Sequence, residues 1–178
     1  KGFLAMAYTI STPNLGLPLI TATVADNSSN AAGGRAPGPN LGTIVVATDP
    51  TYGAGEFIYL KGLAATAVGT WVTYNADDGS TALLAANAIG PVAVAMSANL
   101  AGYNGWYQIS GKAIGLCLAL FADNANVYST ATPGSVDDAV VAGDRVQGAK
   151  GASAIGTPSG SFAEFEIARP FVNDALAD

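Results

Sequence analysis

The chain has 178 residues and a mass of 17.7 kDa, the size of one domain with at most a small appendage. Only 11% of its residues are charged, the net charge is −6 with a pI near 4.3, and the seven cations (Lys1, Arg35, Lys61, Lys112, Arg145, Lys150, Arg169) stand singly. No basic patch is there to neutralise phosphates, which sets nucleic acid aside as a partner. Histidine is absent and Cys117 is the sole cysteine, which excludes intrachain disulfides, Cys/His zinc sites and His-dependent triads.

Residues 1–42 differ in texture from residues 43–178. They carry Pro13, Pro18, Pro37 and Pro39, the polar tract Asp26-Asn27-Ser28-Ser29-Asn30 and Gly33-Gly34, with Tyr8, Ile10, Leu15, Leu17 and Ile20 isolated between them. Neither a helical nor a strand period survives there. The stretch reads as an extended N-terminal arm, ordered by lying on another subunit or a partner surface. Its Phe3-Leu4-Ala5-Met6-Ala7 run is too short for a signal-peptide core, and with no pairable cysteines the expected place of synthesis is the cytosol.

From Gly42 onward, short β-branched and aromatic runs are bounded by Gly, Pro and Asp. Gly42 to Thr48, Glu56 to Lys61 and Thr70 to Tyr74 are the first three. Asn75-Ala76-Asp77-Asp78-Gly79-Ser80 is a turn cluster, so Thr81 to Leu84 is the returning strand of a hairpin. Val92 to Met96, Gly105 to Ser110, Ala113 to Phe121, Val127 to Ser129, Asp144 to Ala149 and Phe162 to Ala168 follow. About nine or ten short strands with no long amphipathic helix predict an all-β domain, a small β-barrel or β-sandwich. Half of the residues are hydrophobic, but alanine supplies more than a third of these and 22 glycines accompany them. The core is therefore thin, with closely approaching backbones.

Two stretches compete with the strand reading. The Ala-rich residues 82–101 favour helix by propensity, yet Gly90-Pro91 breaks it, and Asn87, Asn99, Gly102 and Asn104 interrupt the charge-free span from Gly79 to Gly111 too often for a membrane helix. Ser135-Val136-Asp137-Asp138 resembles a capping box ahead of Ala139-Val140-Val141-Ala142, which predicts one helical turn ended by Gly143.

Chemistry-bearing constellations are few. Glu164 and Glu166 flank Phe165, so on a strand both carboxylates share one face about 7 Å apart while Phe165 and Ile167 face the core. That separation suits an inverting glycosidase, but neighbours on one strand do not flank a substrate, and a solvated face explains them. Asp77-Asp78 and Asp137-Asp138 lack the twelve-residue calcium loop with its terminal Glu and read as turn residues. No Gly-x-Ser-x-Gly elbow, Ser-x-x-Lys pair, Walker loop or dinucleotide fingerprint occurs; no enzyme activity, cofactor or metal is expected. Cys117, inside Leu116-Cys117-Leu118, reads as a small buried hydrophobe. Trp71, Trp106, Tyr74 and Tyr107 read as core rather than as a glycan-stacking surface. Asn27-Ser28-Ser29 formally fits a glycosylation acceptor, without a secretory context.

The run Asp49-Pro50-Thr51-Tyr52-Gly53-Ala54-Gly55-Glu56-Phe57-Ile58-Tyr59-Leu60-Lys61-Gly62 resembles a family of tailed-bacteriophage virion proteins that decorate or cement the capsid. The similarity continues through Gly69 to Tyr74, Gly90 to Ala95, Gly105 to Ala113 and Val136 to Ala139, and spans residues 43–172. The resemblance implies a non-enzymatic, β-rich decoration domain on the capsid exterior. Such a domain is often a homotrimer at three-fold and quasi-three-fold positions, bridging neighbouring major capsid proteins, with no nucleic acid or membrane as partner.

No family residue roles carry over, so candidate capsid or inter-subunit contacts come from composition: Tyr8, Ile10, Leu15, Leu17, Leu19 and Arg35. Three other readings compete. One is a virion-surface glycan-binding or adhesion module using Trp106, Tyr107 and Tyr103; another is a self-assembling major shell or tail-tube subunit; a small hydrolase is the third.

Overall fold

The structure, a computed structural model, describes residues 7–11, 16–25 and 38–174. These form twelve strands and no helix, so none is long and apolar enough to cross a membrane. In chain order they are β1 (Thr9–Ile10), β2 (Thr23–Ala25), β3 (Ile44–Asp49), β4 (Gly53–Lys61), β5 (Trp71–Tyr74) and β6 (Thr81–Leu83). Then come β7 (Gly90–Ala95), β8 (Tyr103–Leu116), β9 (Asn126–Ser129), β10 (Val136–Asp137), β11 (Arg145–Gly151) and β12 (Phe162–Val172). All belong to one antiparallel sheet whose main path runs β1-β3-β4-β8-β7-β12-β11-β9-β10, with β2 on β8, β5 on β7 and β6 on β5.

The all-β expectation holds, and its sandwich form is consistent with this sheet; the barrel form is corrected, because the sheet does not close. Closure needs a regular stagger between neighbours, and the long strands here change partner part-way instead. β12 pairs β8 over Phe162 to Ala168 and then β7 at Phe171 and Val172. Arg169 sits at the changeover with φ +46°. The two runs predicted at Gly105 to Ser110 and Ala113 to Phe121 are one strand, β8, as far as Leu116. It passes through Gly111 at φ +96°, where a Cβ would run into the Ala54 carbonyl.

Period-2 alternation sends neighbouring residues of one strand into different clusters. Phe57 and Tyr59 join Val45, Ala47, Met96, Trp106 and Ile114 behind β3, β4 and β8, whereas Ile58 and Leu60 pack with Val72, Ala93, Ala95, Tyr107 and Ile109 on the other face. A further cluster gathers Trp71, Val94, Phe121, Val127, Val136, Val146 and Phe165. Trp71 meets Phe165 edge-on at 5.0 Å, and Gly115 lies directly against the Trp71 indole. Small residues therefore let large rings and neighbouring backbone approach, as the composition implied.

A further expectation is corrected by packing. The helical turn at residues 135–142 does not form, since Val136 and Asp137 pair with Ser129 and Tyr128 and the Val136 carbonyl accepts from Leu118 N–H at 2.9 Å. Burying Val136 outweighs the local capping signal. The described parts of the arm pair with the chain's own strands. β1 pairs β3 (Thr9 opposite Thr48) and β2 pairs β8 (Thr23 opposite Gly105).

The arm supplies core. Tyr8 is 8% exposed, its ring 4.8 Å edge-on from Phe57, and its hydroxyl donates to the Lys112 carbonyl at 3.2 Å. Ile20 is 1% exposed in the same cluster, with Ile10 and Leu17 packed against it. The Trp106 indole N–H donates to the Pro18 carbonyl at 3.1 Å, and Ala7 N–H donates to Asp49 Oδ2 at 2.6 Å. Without these segments the β3–β4–β8 face would present Phe57, Tyr59 and Trp106 to water.

Candidate interaction surface

Of the residues singled out by composition, four fall among the described residues. Tyr8 is buried, and Ile10 and Leu17 are partly buried against its cluster. Leu19 is 73% exposed, while Leu15 and Arg35 lie outside the described residues. The glycan platform loses its rings: Trp106 and Tyr107 are fully buried and Tyr103 alone is exposed. The Tyr107 hydroxyl donates to the Lys61 carbonyl at 3.2 Å, and burial raises its pKa.

The acidic pairs have structural partners. Glu164 Oε2 lies 2.6 Å from Lys112 Nζ, and Glu166 stands in register between Lys112 and Lys150. Asp78 Oδ1 accepts Ser80 N–H at 2.9 Å, closing the β5–β6 turn, and the Ser80 bonds hold its carboxyl below the usual range. Among the described residues, no three His, Cys, Asp or Glu side chains are grouped closely enough to hold a metal ion. The Cys117 thiol is buried, donates to the Ser161 carbonyl at 3.6 Å, and is pushed up to about 11 by burial and by Asp137 and Asp138. A cleft of about 490 Å³ between β8, β12 and β11 has Gly111, Gly148, Ala149, Lys150 and Glu166 among its lining residues.

The outstanding surface feature is apolar. Ala139, Val140, Val141 and Ala142 are four consecutive exposed residues, Val140 at 80% and Val141 at 45%. Beside them on the 118–125 loop, Leu120 is 88% exposed and held at φ +74°. A branched side chain at positive φ is strained, and such a run of apolar residues in water is costly unless it serves a contact. The two loops are tied together by Ala122 N–H donating to Asp138 Oδ2 at 2.9 Å.

The loops beneath this apex are anchored. Phe121, next to Leu120, is buried 5.1 Å from Phe165. Buried Asp144 accepts Asn87 N–H at 2.6 Å and the Ser129 hydroxyl at 3.0 Å, fixing the C-terminal end of the apolar run to β9 and to the 84–89 loop. Asp123 and Asp138 border the apex, and neither loop carries a cation. Sequence reading missed this surface because it assigned Leu118 to Phe121 to a strand and residues 139–142 to a helical turn. An apolar run after a turn-forming Asp-Asp was the available signal.

Models of known protein families, curated proteins and solved structures were compared with the chain, and none matches it.

Proposed function

We propose that the chain is a structural virion protein that binds the outside of a tailed-bacteriophage capsid and cements neighbouring major capsid proteins, with the apex of Leu120, Val140 and Val141 seated on the shell. The observation that carries this reading is the anchored apolar apex itself. Three large aliphatic side chains are held in water, one at a strained backbone angle, on loops fixed from below by Phe121, Asp138 and Asp144. Interfaces place such residues at their desolvated centre with a polar rim.

Full burial of an exposed aliphatic anchor is worth about 1.5–3 kcal/mol, so the area still exposed on the three gives roughly 3–6 kcal/mol before the costs of association. That is a modest contact for one copy. Repeated over a lattice, and shared by copies that contact one another, it resists opening of the joints between capsomers when packaged genome presses outward. Trimeric assembly at three-fold positions belongs to the same proposal.

The test adds purified chain to heads lacking it and separates bound from free by sedimentation. Wild type is expected to pellet with the heads, and Leu120→Asp combined with Val140→Asp to remain in the supernatant with unaltered thermal unfolding. A wild-type chain that stays in the supernatant, or a double variant that pellets equally well, overturns the proposal. Deletion of residues 1–40 is unsuitable, since it removes Tyr8 and Ile20 from the core.

A further inference from the structure

The arm segments have little structure of their own. Among the described residues, the backbone bond from Ala22 N–H to the Leu19 carbonyl stays within them. Those of Ala7, Ser11 and the two short strands go to the body. The body in turn is incomplete without them, because Tyr8 and Ile20 fill the cluster behind β3, β4 and β8 and Pro18 satisfies the Trp106 indole.

We infer that this arm is exchangeable between copies of the chain: the groove that receives Tyr8, Ile10, Leu17 and Ile20 accepts the same residues from a second copy, so that neighbouring molecules complete each other's cores. Arm and body join through residues 26–37. Twelve residues can span up to about 40 Å. The gap to be bridged is shorter. Ala25 leaves opposite Tyr103, and Gly38 re-enters against the Tyr59 hydroxyl, Tyr59 being paired with Trp106. Tyr103 and Trp106 are three residues apart on β8, about 10 Å. The tether thus has length to spare for the groove of an adjacent copy.

Every bond and contact broken on leaving one groove is re-formed in the next. The balance is then set by concentration: a tether of twelve residues gives the arm an effective concentration of the order of millimolar for its own groove. Dilute chain keeps its arm, and crowded chain, whether concentrated in solution or fixed side by side, trades it. This inference does not depend on the capsid reading, since it concerns only copies of this chain.

The test uses the directly opposed pair Thr9 and Thr48, both exposed, whose antiparallel spacing suits a disulfide. All variants carry Cys117→Ala. One chain with Thr9→Cys is mixed with another carrying Thr48→Cys, held for exchange at about 10 μM or about 1 mM, then mildly oxidised and run on a non-reducing gel. The mixture is expected to give a mixed disulfide at the higher concentration and at least tenfold less at the lower. A single chain bearing both cysteines is expected to close within itself when dilute and to give covalent dimers when concentrated. Thr9→Cys mixed with Thr132→Cys sets the level of random collision. Mixed disulfide no greater than that level at about 1 mM overturns exchange, and failure of the doubly substituted chain to close when dilute overturns the docking on which exchange is built.

Discussion

Replacing Tyr8 with alanine tests whether the arm is part of the core. The side chain is 8% exposed, meets Phe57 edge-on at 4.8 Å and donates its hydroxyl to the Lys112 carbonyl at 3.2 Å. Truncating a buried aromatic costs about 3–5 kcal/mol, and the lost hydrogen bond belongs to a class worth about 0.5–1.5 kcal/mol. The loss has a ceiling, because residues 7–11 can undock locally once their contacts weaken, leaving the rest folded. A net loss of about 3 kcal/mol is expected. With a urea dependence near 2 kcal/mol per molar, that lowers the unfolding midpoint by about 1.5 M. Hydrogen exchange read by mass spectrometry supplies the second observable: the peptide holding Ser11, whose N–H donates to the Val46 carbonyl at 3.0 Å, is expected to lose protection. A midpoint change worth less than about 1 kcal/mol, with protection of that peptide intact, would refute the docking of Tyr8.

Three other substitutions probe separate parts of the molecule. The Tyr8 phenol is pushed up to about 12, first by burial and then by Asp49. The unfolded chain loses this proton near 10, so the contribution to stability is complete below pH 10 and disappears as pH rises to about 12. Tyr8→Phe is therefore expected to flatten part of the fall in urea midpoint over that window; an unchanged slope contradicts the assignment. Leu120→Gly relieves the positive φ and is expected to raise stability by up to about 1 kcal/mol while weakening attachment to heads. A loss of stability instead would mean that the Leu120 side chain packs on its own domain. Asp144→Ala strands the Asn87 N–H and the Ser129 hydroxyl and is expected to cost about 2–4 kcal/mol, measured by thermal or urea unfolding, with a neutral outcome counting against the anchor.

Strand positions were legible wherever β-branched or aromatic residues alternated between turn residues. Ile44 to Asp49, Trp71 to Tyr74 and Thr81 to Leu83 lie within a residue or two of their expected bounds, because each pattern needs only its neighbours. Closure was not legible, since the changeover of β12 from β8 to β7 depends on a pairing between residues far apart in the chain. The packing of the arm was not legible either. Tyr8, Leu17 and Ile20 have no period because they fill separate gaps in a surface built by other strands. The apex was hidden by two local signals, a capping box and an apolar run, whose outcome was decided by the burial of Val136 and Phe121 beneath it.

The hydrogen bond between Tyr8 and Lys112 joins residues 104 positions apart, and that between Trp106 and Pro18 spans 88. During synthesis residues 7–25 emerge well before β8, which supplies the Lys112 carbonyl and the Trp106 indole. At 5–20 residues per second, translation holds Tyr8 without its acceptor for about 5–20 s. For that interval the nascent chain displays tyrosine, leucine and isoleucine to whatever crowds the ribosome, including finished copies and other nascent chains of itself. The order of manufacture therefore decides which molecule an arm can meet first.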